Sequence, residues 1–369
     1  MKGRSELSGL HKTMIRLADG RELTYYDTAA DQARDAVDRR QLPPANSASQ
    51  LRYEPFLDTW VIYASHRQDR TYLPSAQNCP LCASTAEHLT EVPAASYEVV
   101  VFQNRFPALS APPPEAVGTP PGQLLASRPA GGRSEVVVYT DDHDASFADL
   151  APERVELLLD ALIDRTAVLS ALPDVDQVFC FENRGREIGV TQPHPHGQIY
   201  AYPFITPRTS KALDSARAYY RRTGRNLYDD VLAAERADGA RVVTQTEFWT
   251  AFVPHAARWP YEVHLYPHRR VPDLASLDSL ERKDLAQVEL DIFGRFARLF
   301  DAPAPYIAGW HQAPVRDGRE IFAMHLELFT SRRTSDKLKY LAGSESAMDA
   351  FASDVIPEAA AARLRELAP

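Results

Sequence analysis

The chain has 369 residues, 44% apolar and 25% charged, and its 50 acidic against 41 basic side chains leave a net charge of −9. That length exceeds what one hydrophobic core usually organises, so two packed units are expected. The acidic balance excludes a basic nucleic-acid binder, the three cysteines exclude a disulfide scaffold, and no run approaches the ~18 apolar residues of a membrane helix.

In chain order, MKGRSELSGL lacks the apolar core of a signal peptide, and a soluble cytoplasmic protein is expected. Residues 1–48 are polar and are expected to form a weakly ordered extension. Order is expected from Leu51, with strands over Thr59–Tyr63 and 97–102. Proline and glycine runs in 111–133 mark a surface loop. Residues 135–139 (EVVVY) read as a buried strand. The spacing predicts a helix over 152–172, with Val155, Leu158, Leu159, Leu162 and Leu169 on one face and a start at Asp149 or at Ala151-Pro152. Strands follow at 176–181 and 197–202, and 207–239 is a charged, helical connector.

The second half then repeats the first. Residues 134–150 align without gaps to 261–277, placing Glu135 on Glu262, Val136 on Val263 and Tyr139 on Tyr266. An amphipathic helix follows each segment, the second marked by Leu285, Val288, Ile292, Phe296 and Leu299. After each helix comes a strand with an alternating polar pair, His194 and His196 in one half, His325 and Glu327 in the other. The shared order indicates duplication.

Chemistry concentrates in TQPHPHGQIY, residues 191–200. A histidine on a strand is usually a hydrogen-bonded bystander, but here two of only eleven share one strand face inside a proline frame. Gly197 permits close backbone approach, and Gln198 continues the face. Upstream, Cys79-Pro-Leu-Cys82 has the spacing at which two thiolates grip one zinc ion. His143 and one member of the histidine pair are the best remaining ligands. A site of Cys79, Cys82, His143 and His194 would be closed, hence structural, and would leave His196 as a pinned, largely neutral imidazole suited to attack on phosphorus. Gln198 would then hydrogen-bond a phosphoryl oxygen.

PHPHGQ, with CPLC upstream, FENRG just before it and GWHQAP at 309–314, resembles the galactose-1-phosphate uridylyltransferase family, the transferase branch of the histidine-triad superfamily, from about residue 51 to 345. The resemblance implies an α+β fold of two fused histidine-triad-like half-barrels, each an antiparallel sheet with a packed helix. The divisions are 49–206 for the unit with zinc site and nucleophile, 207–239 for the connector, 240–335 for the second unit, and 336–369 for a segment of substrate contacts. It implies ping-pong transfer of a uridylyl group through His196, from UDP-glucose to galactose 1-phosphate, in a homodimer with sites completed across the interface. The family's zinc ligands fall on Cys79, Cys82, His143 and His194. Its nucleotide and phosphate contacts fall on Arg67, Arg70, Asn104, Arg105, Asn183, Gly189, Val190, Thr191 and Gln198. Its sugar and phosphate contacts fall on Lys339, Tyr340, Ser344 and Glu345.

Departures cluster at a second metal, iron or zinc, which several members hold with one Glu and three His. Here His311 and His325 match, the last His is Glu327, and Ala212 stands where the Glu is expected, with Asp214 nearby. The contact expected near 351 falls on Phe351. Two rivals remain: a related adenylyl transferase acting on ADP-glucose or diadenosine tetraphosphate, and a non-catalytic zinc module. The lysine-to-glutamate segment 339–345 favours a hexose 1-phosphate acceptor over the first. PHPHGQ and a free His196 argue against the second. Neither nucleic acid nor a membrane is expected as a partner.

Overall fold

The computed structural model describes residues 10–44, 49–69, 73–110 and 122–368. Arg70 and positions 111–121 of the expected loop lie outside these residues. The first half contains β1 (His11–Arg16), β2 (Glu22–Asp27), β3 (Gln50–Glu54), β4 (Thr59–Tyr63), β5 (Val99–Gln103), β6 (Ser127–Pro129) and β7 (Arg133–Val138). Helix α1 (Pro152–Ser170) and strands β8 (Gln177–Arg184) and β9 (His196–Tyr202) complete it. Helices α2 (Pro207–Thr223) and α3 (Leu227–Asp238) connect to β10 (Val242–Gln245), β11 (Trp249–Phe252) and β12 (Tyr261–Pro267). Helix α4 (Ser279–Ala297), β13 (Tyr306–His311) and β14 (His325–Thr330) follow. The chain ends in β15 (Arg332–Thr334), β16 (Lys337–Leu338), α5 (Gly343–Met348) and α6 (Pro357–Glu366).

Eleven of the described strands form one antiparallel sheet in the order β1-β2-β5-β7-β9-β8-β13-β14-β12-β11-β10. Its midline is the β8–β13 pair, where Phe181 lies opposite Gly309. Outward from it, β8-β9-β7-β5-β2 matches β13-β14-β12-β11-β10, with β1 an extra edge strand on one side, so two half-sheets are fused edge to edge, in agreement with the expected fold. Helices α1 and α4 cover one face. Every residue expected on their apolar faces is buried, from Val155 and Leu159 to Ile292 and Phe296. At ~1.5–3 kcal/mol for each buried aliphatic side chain, that stripe is what seats the helices. Proline opens α1 at its first turn, and Asp278 caps α4 by accepting from the Leu280 and Glu281 amides.

Two expectations change. Residues 10–44 are not weakly ordered: β1 and β2 form a hairpin, β2 pairs with β5, and Leu23, Tyr25 and Tyr26 are buried. Its polar look comes from ion pairs such as Arg34–Asp27, 2.5 Å apart, with the Arg34 guanidinium also stacked on Tyr25. The second change is a register slip. The ungapped alignment matches the short 3₁₀ turns Phe147–Asp149 and Leu274–Ser276 and then the two helices. In the strands before them it is one residue out. Glu135 points to the helix face, where it binds Arg165 at 2.7 and 2.9 Å, whereas Glu262 points to the opposite face and meets His264. A one-residue shift exchanges the faces of a strand, so the two glutamates are not counterparts. The sheet register makes the equivalence explicit. Phe181 pairs with Gln198 just as Gly309 pairs with Glu327, so His196 corresponds to His325 and Gln198 to Glu327. The expected match of the two polar pairs in written order is corrected accordingly.

Candidate active site

His196 opens β9, opposite Val138 of β7. Gly197 lies between two close neighbours: a Cβ there would sit 3.0 Å from Val137 Cγ1 and 3.1 Å from the Phe181 carbonyl. Glycine therefore lets the strand with the histidines pack tightly into the sheet. The His196 Nδ1–H donates to the His194 carbonyl at 2.8 Å. That bond fixes the tautomer and leaves the Nε2 lone pair available. Burial lowers the His196 pKa, against the carbonyl bond that raises it, so the ring favours the neutral form.

His194 is turned the other way. Its Nε2–H donates to the Thr140 carbonyl at 2.9 Å, with the Tyr97 hydroxyl at 3.2 Å, and its Nδ1 lies 3.4 Å from Cys82 Sγ. His143 Nδ1 lies 3.5 Å from the same sulfur. One donor atom each from Cys79, Cys82, His143 and His194 falls within 4.8 Å of the others. Burial, then the Cys79 thiol beside it, pushes Cys82 up to about 12. A divalent cation reverses that balance, because thiolates bind it directly. Two sulfurs and two oriented imidazoles fit a tetrahedral zinc ion, with Thr140 holding one ligand ring in place.

The remaining contacts converge on His196. A cavity of about 340 Å³ is lined by His196 and Gln198 together with Arg67, Asn104, Arg105, Asn183, Gly189, Val190 and Thr191. All the expected nucleotide contacts among the described residues are therefore gathered in one place. The same cavity holds residues that the sequence reading missed, including Tyr200, Phe181 and Glu91. Tyr200 was within reach, since the period-two pattern linking His196 to Gln198 continues to it; its hydroxyl accepts from Arg67 at 3.1 Å. Glu91, separated from the motif by a hundred residues, carries no local signal. A second cavity, about 350 Å³, reaches His196 from another side and brings Arg184, Arg186 and Arg332 around the Gly185 turn. Gly185 has φ 106°, and a Cβ there would meet Pro305 at 2.6 Å.

The C-terminal contacts lie elsewhere. Lys339, Tyr340, Ser344 and Glu345 do not line either cavity. Lys339 is buried, donates to the Arg258 carbonyl at 2.9 Å, and stands 3.7 Å from Glu345 and over the Trp259 and Phe351 rings. Tyr340 is 73% exposed.

His311, His325 and Glu327 do come together, and His264 joins them. His325 Nε2 and His264 Nε2 lie 3.3 and 3.7 Å from Glu327 Oε1, and His311 Nε2 lies 3.4 Å from Oε2. His264 also meets Glu262 at 2.9 Å. Ala212 packs with Leu213 and Phe322 instead, and Asp214 is exposed, so neither supplies the expected fourth ligand. Burial pulls His325 down to about 4, and its Nδ1–H donates to the Ala323 carbonyl at 2.9 Å. Its Nε2 lone pair thus faces a carboxylate, an arrangement that a cation stabilises. Arg208 supplies one: its Nη2 lies 2.7 and 2.6 Å from the two Glu327 oxygens. The donors are of a type that suits zinc or iron, but a metal there would have to displace a guanidinium already seated on the carboxylate.

Models of the galactose-1-phosphate uridyl transferase N-terminal and C-terminal domains match residues 40–206 and 212–369. A Streptomyces lividans galactose-1-phosphate uridylyltransferase is 48% identical over 97% of this chain and 98% of its own. The Thermotoga maritima enzyme of the same name is 38% identical over 86% of this chain and 98% of its own. A solved uridylyltransferase structure superposes with a TM-score of 0.78 at 32% identity, covering 86% of this chain and 98% of that one. With the motif, the fold and near full-length similarity in agreement, the chain belongs to the galactose-1-phosphate uridylyltransferase family of nucleotidyltransferases.

Proposed function

We propose that the enzyme moves a uridylyl group from UDP-glucose to galactose 1-phosphate through a covalent uridylyl–His196. The observation that carries this reading is the 2.8 Å bond from His196 Nδ1–H to the His194 carbonyl, which leaves Nε2 as the unprotonated nitrogen of a neutral ring. In the first half-reaction Nε2 attacks the α-phosphorus, the bond to the bridging oxygen breaks, and glucose 1-phosphate leaves. In the second, a phosphate oxygen of galactose 1-phosphate attacks the same phosphorus and the P–N bond breaks, giving UDP-galactose and the free ring. Gln198, on the same strand face, donates to a non-bridging oxygen as charge shifts. Arg67 and Arg105 offer charge-assisted bonds to the diphosphate in an otherwise acidic protein.

Cys79, Cys82, His143 and His194 would hold a structural zinc ion, whose contribution is to order the segment before β9. In this reading the enzyme is a cytoplasmic homodimer in which Lys339, Tyr340, Ser344 and Glu345 serve the partner's site, which accounts for their distance from their own His196. No described helix is long and apolar enough to cross a membrane. Isotope exchange tests the mechanism. Labelled glucose 1-phosphate should enter UDP-glucose with no galactose 1-phosphate present. Exchange that requires the second sugar phosphate would rule out a ping-pong route, and exchange with ADP-glucose alone would reassign the base.

A further inference from the structure

The hairpin β1–β2 precedes residue 40, where the match to the N-terminal family domain begins. It nevertheless contacts Glu91, a residue in the wall of the cavity beside His196. Arg21, 3% exposed, donates from Nη2 to Glu91 Oε2 at 2.5 Å and from Nη1 to the Gln103 carbonyl at 2.8 Å, with Asp19 orienting its Nε at 2.7 Å. Arg40 reaches the same carboxylate, Nη1 to Oε1 at 2.9 Å and Nη2 to Oε2 at 3.2 Å, and is itself held by Asp38. Glu91 is buried and lines the cavity beside Arg105.

An unpaired carboxylate at that wall would repel a diphosphate and take up the nearest guanidinium. After Arg21 and Arg40 the next is Arg105, whose Nη1 lies 4.0 Å from Glu91 Oε1, beyond hydrogen-bond reach, with a side chain 41% exposed. Both Glu91 oxygens are already occupied by the shorter bonds from Arg21 and Arg40. We propose that the N-terminal hairpin and the segment that follows it form a positioning module: Arg21, at the hairpin turn, and Arg40, after it, hold Glu91 so that Arg105 stays available to the anionic substrate. The two arginines touch no substrate and act through Glu91. This rests on the reading of Arg105 as a phosphate contact.

The test is steady-state kinetics with UDP-glucose on the full chain. In Arg21→Met/Arg40→Met, Glu91 captures Arg105, and KM rises about tenfold, the worth of one charge-assisted hydrogen bond, while kcat changes little. Adding Glu91→Gln removes the competitor and returns KM toward the native value, a rescue that a purely structural role of the hairpin would not produce. Arg40→Met alone, with a side chain already 11% exposed, covers the case in which loss of Arg21 prevents folding, and a smaller rise with the same rescue is expected. Arg105→Met separates the two claims. An unchanged KM there removes the reading of Arg105. A raised KM there, with native KM in the arginine variants or no rescue by Glu91→Gln, overturns the positioning role.

Discussion

The two halves of the sheet carry the same histidine in the same pose. His196 and His325 each open a strand, and each donates Nδ1–H to the carbonyl two residues back, at 2.8 and 2.9 Å. What differs is the surroundings. Next on the face of β9 is Gln198, a neutral donor at the wall of an open cavity. Next on the face of β14 is Glu327, an acceptor that draws in His264, His311 and Arg208. Over the C-terminal half, α2 and α3 close the face with apolar packing. In the proposed reading, a fixed imidazole serves as nucleophile or as structural strut according to one neighbouring side chain and what covers it.

The largest expected effect breaks the comparison directly. His196→Asn should lower kcat by about 10⁴-fold or more, as loss of a covalent nucleophile does. His325→Asn should keep kcat within a few-fold and lower Tm instead. Equal losses of activity from both would dissolve the distinction between the halves. Next comes metal. Cys79→Ser should cost zinc content and several kcal/mol of stability, seen in metal analysis and thermal unfolding, whereas one metal per native chain is expected because Arg208 holds Glu327. Arg208→Met should lower stability by about 1 kcal/mol, the scale of a half-exposed ion pair, and should let added zinc raise Tm; two metals per native chain would contradict the role given to Arg208.

The smallest effect lies at the seam. Glu182 accepts from Tyr139 and Tyr306, one tyrosine from each half, at 2.8 and 2.7 Å. Glu289 on α4, beside a cavity of about 50 Å³, has no partner for Oε2 among the described residues, and burial followed by the Glu182 charge pushes it up to about 8. Its folded pKa lies above its unfolded value, so the folded chain keeps a proton that the unfolded chain releases. Stability should fall as pH rises from about 4.5 towards 8 and level off above. Glu289→Gln should remove that slope, raising Tm more at pH 8 than at pH 5; a pH-independent change would show that the carboxyl is ionised or hydrated.

Motif chemistry was legible in the sequence because it is local. PHPHGQ sets a strand, a tautomer and a candidate ligand within six residues, and CPLC adds two more candidates, which the fold brings together. The helix faces were legible by periodicity. Contacts assembled across the fold were not: Glu91 meets Arg21 at a separation of 70 residues, Arg208 meets Glu327 at 119, and His264 joins a cluster whose other members lie on different strands. The hairpin was misread because its polar residues are paired rather than solvated. The strand slip escaped notice because similar letters on opposite faces align as well as true counterparts do.

The central claim is that His196 carries the nucleotide and His325 does not. Intact mass after incubation with UDP-glucose alone, followed by peptide mapping, tests it most directly. A uridylyl adduct confined to the peptide containing His196, discharged by galactose 1-phosphate and missing in His196→Asn, is the expected result. An adduct on the His325 peptide, or none on a folded, zinc-loaded enzyme that still turns over, would contradict it.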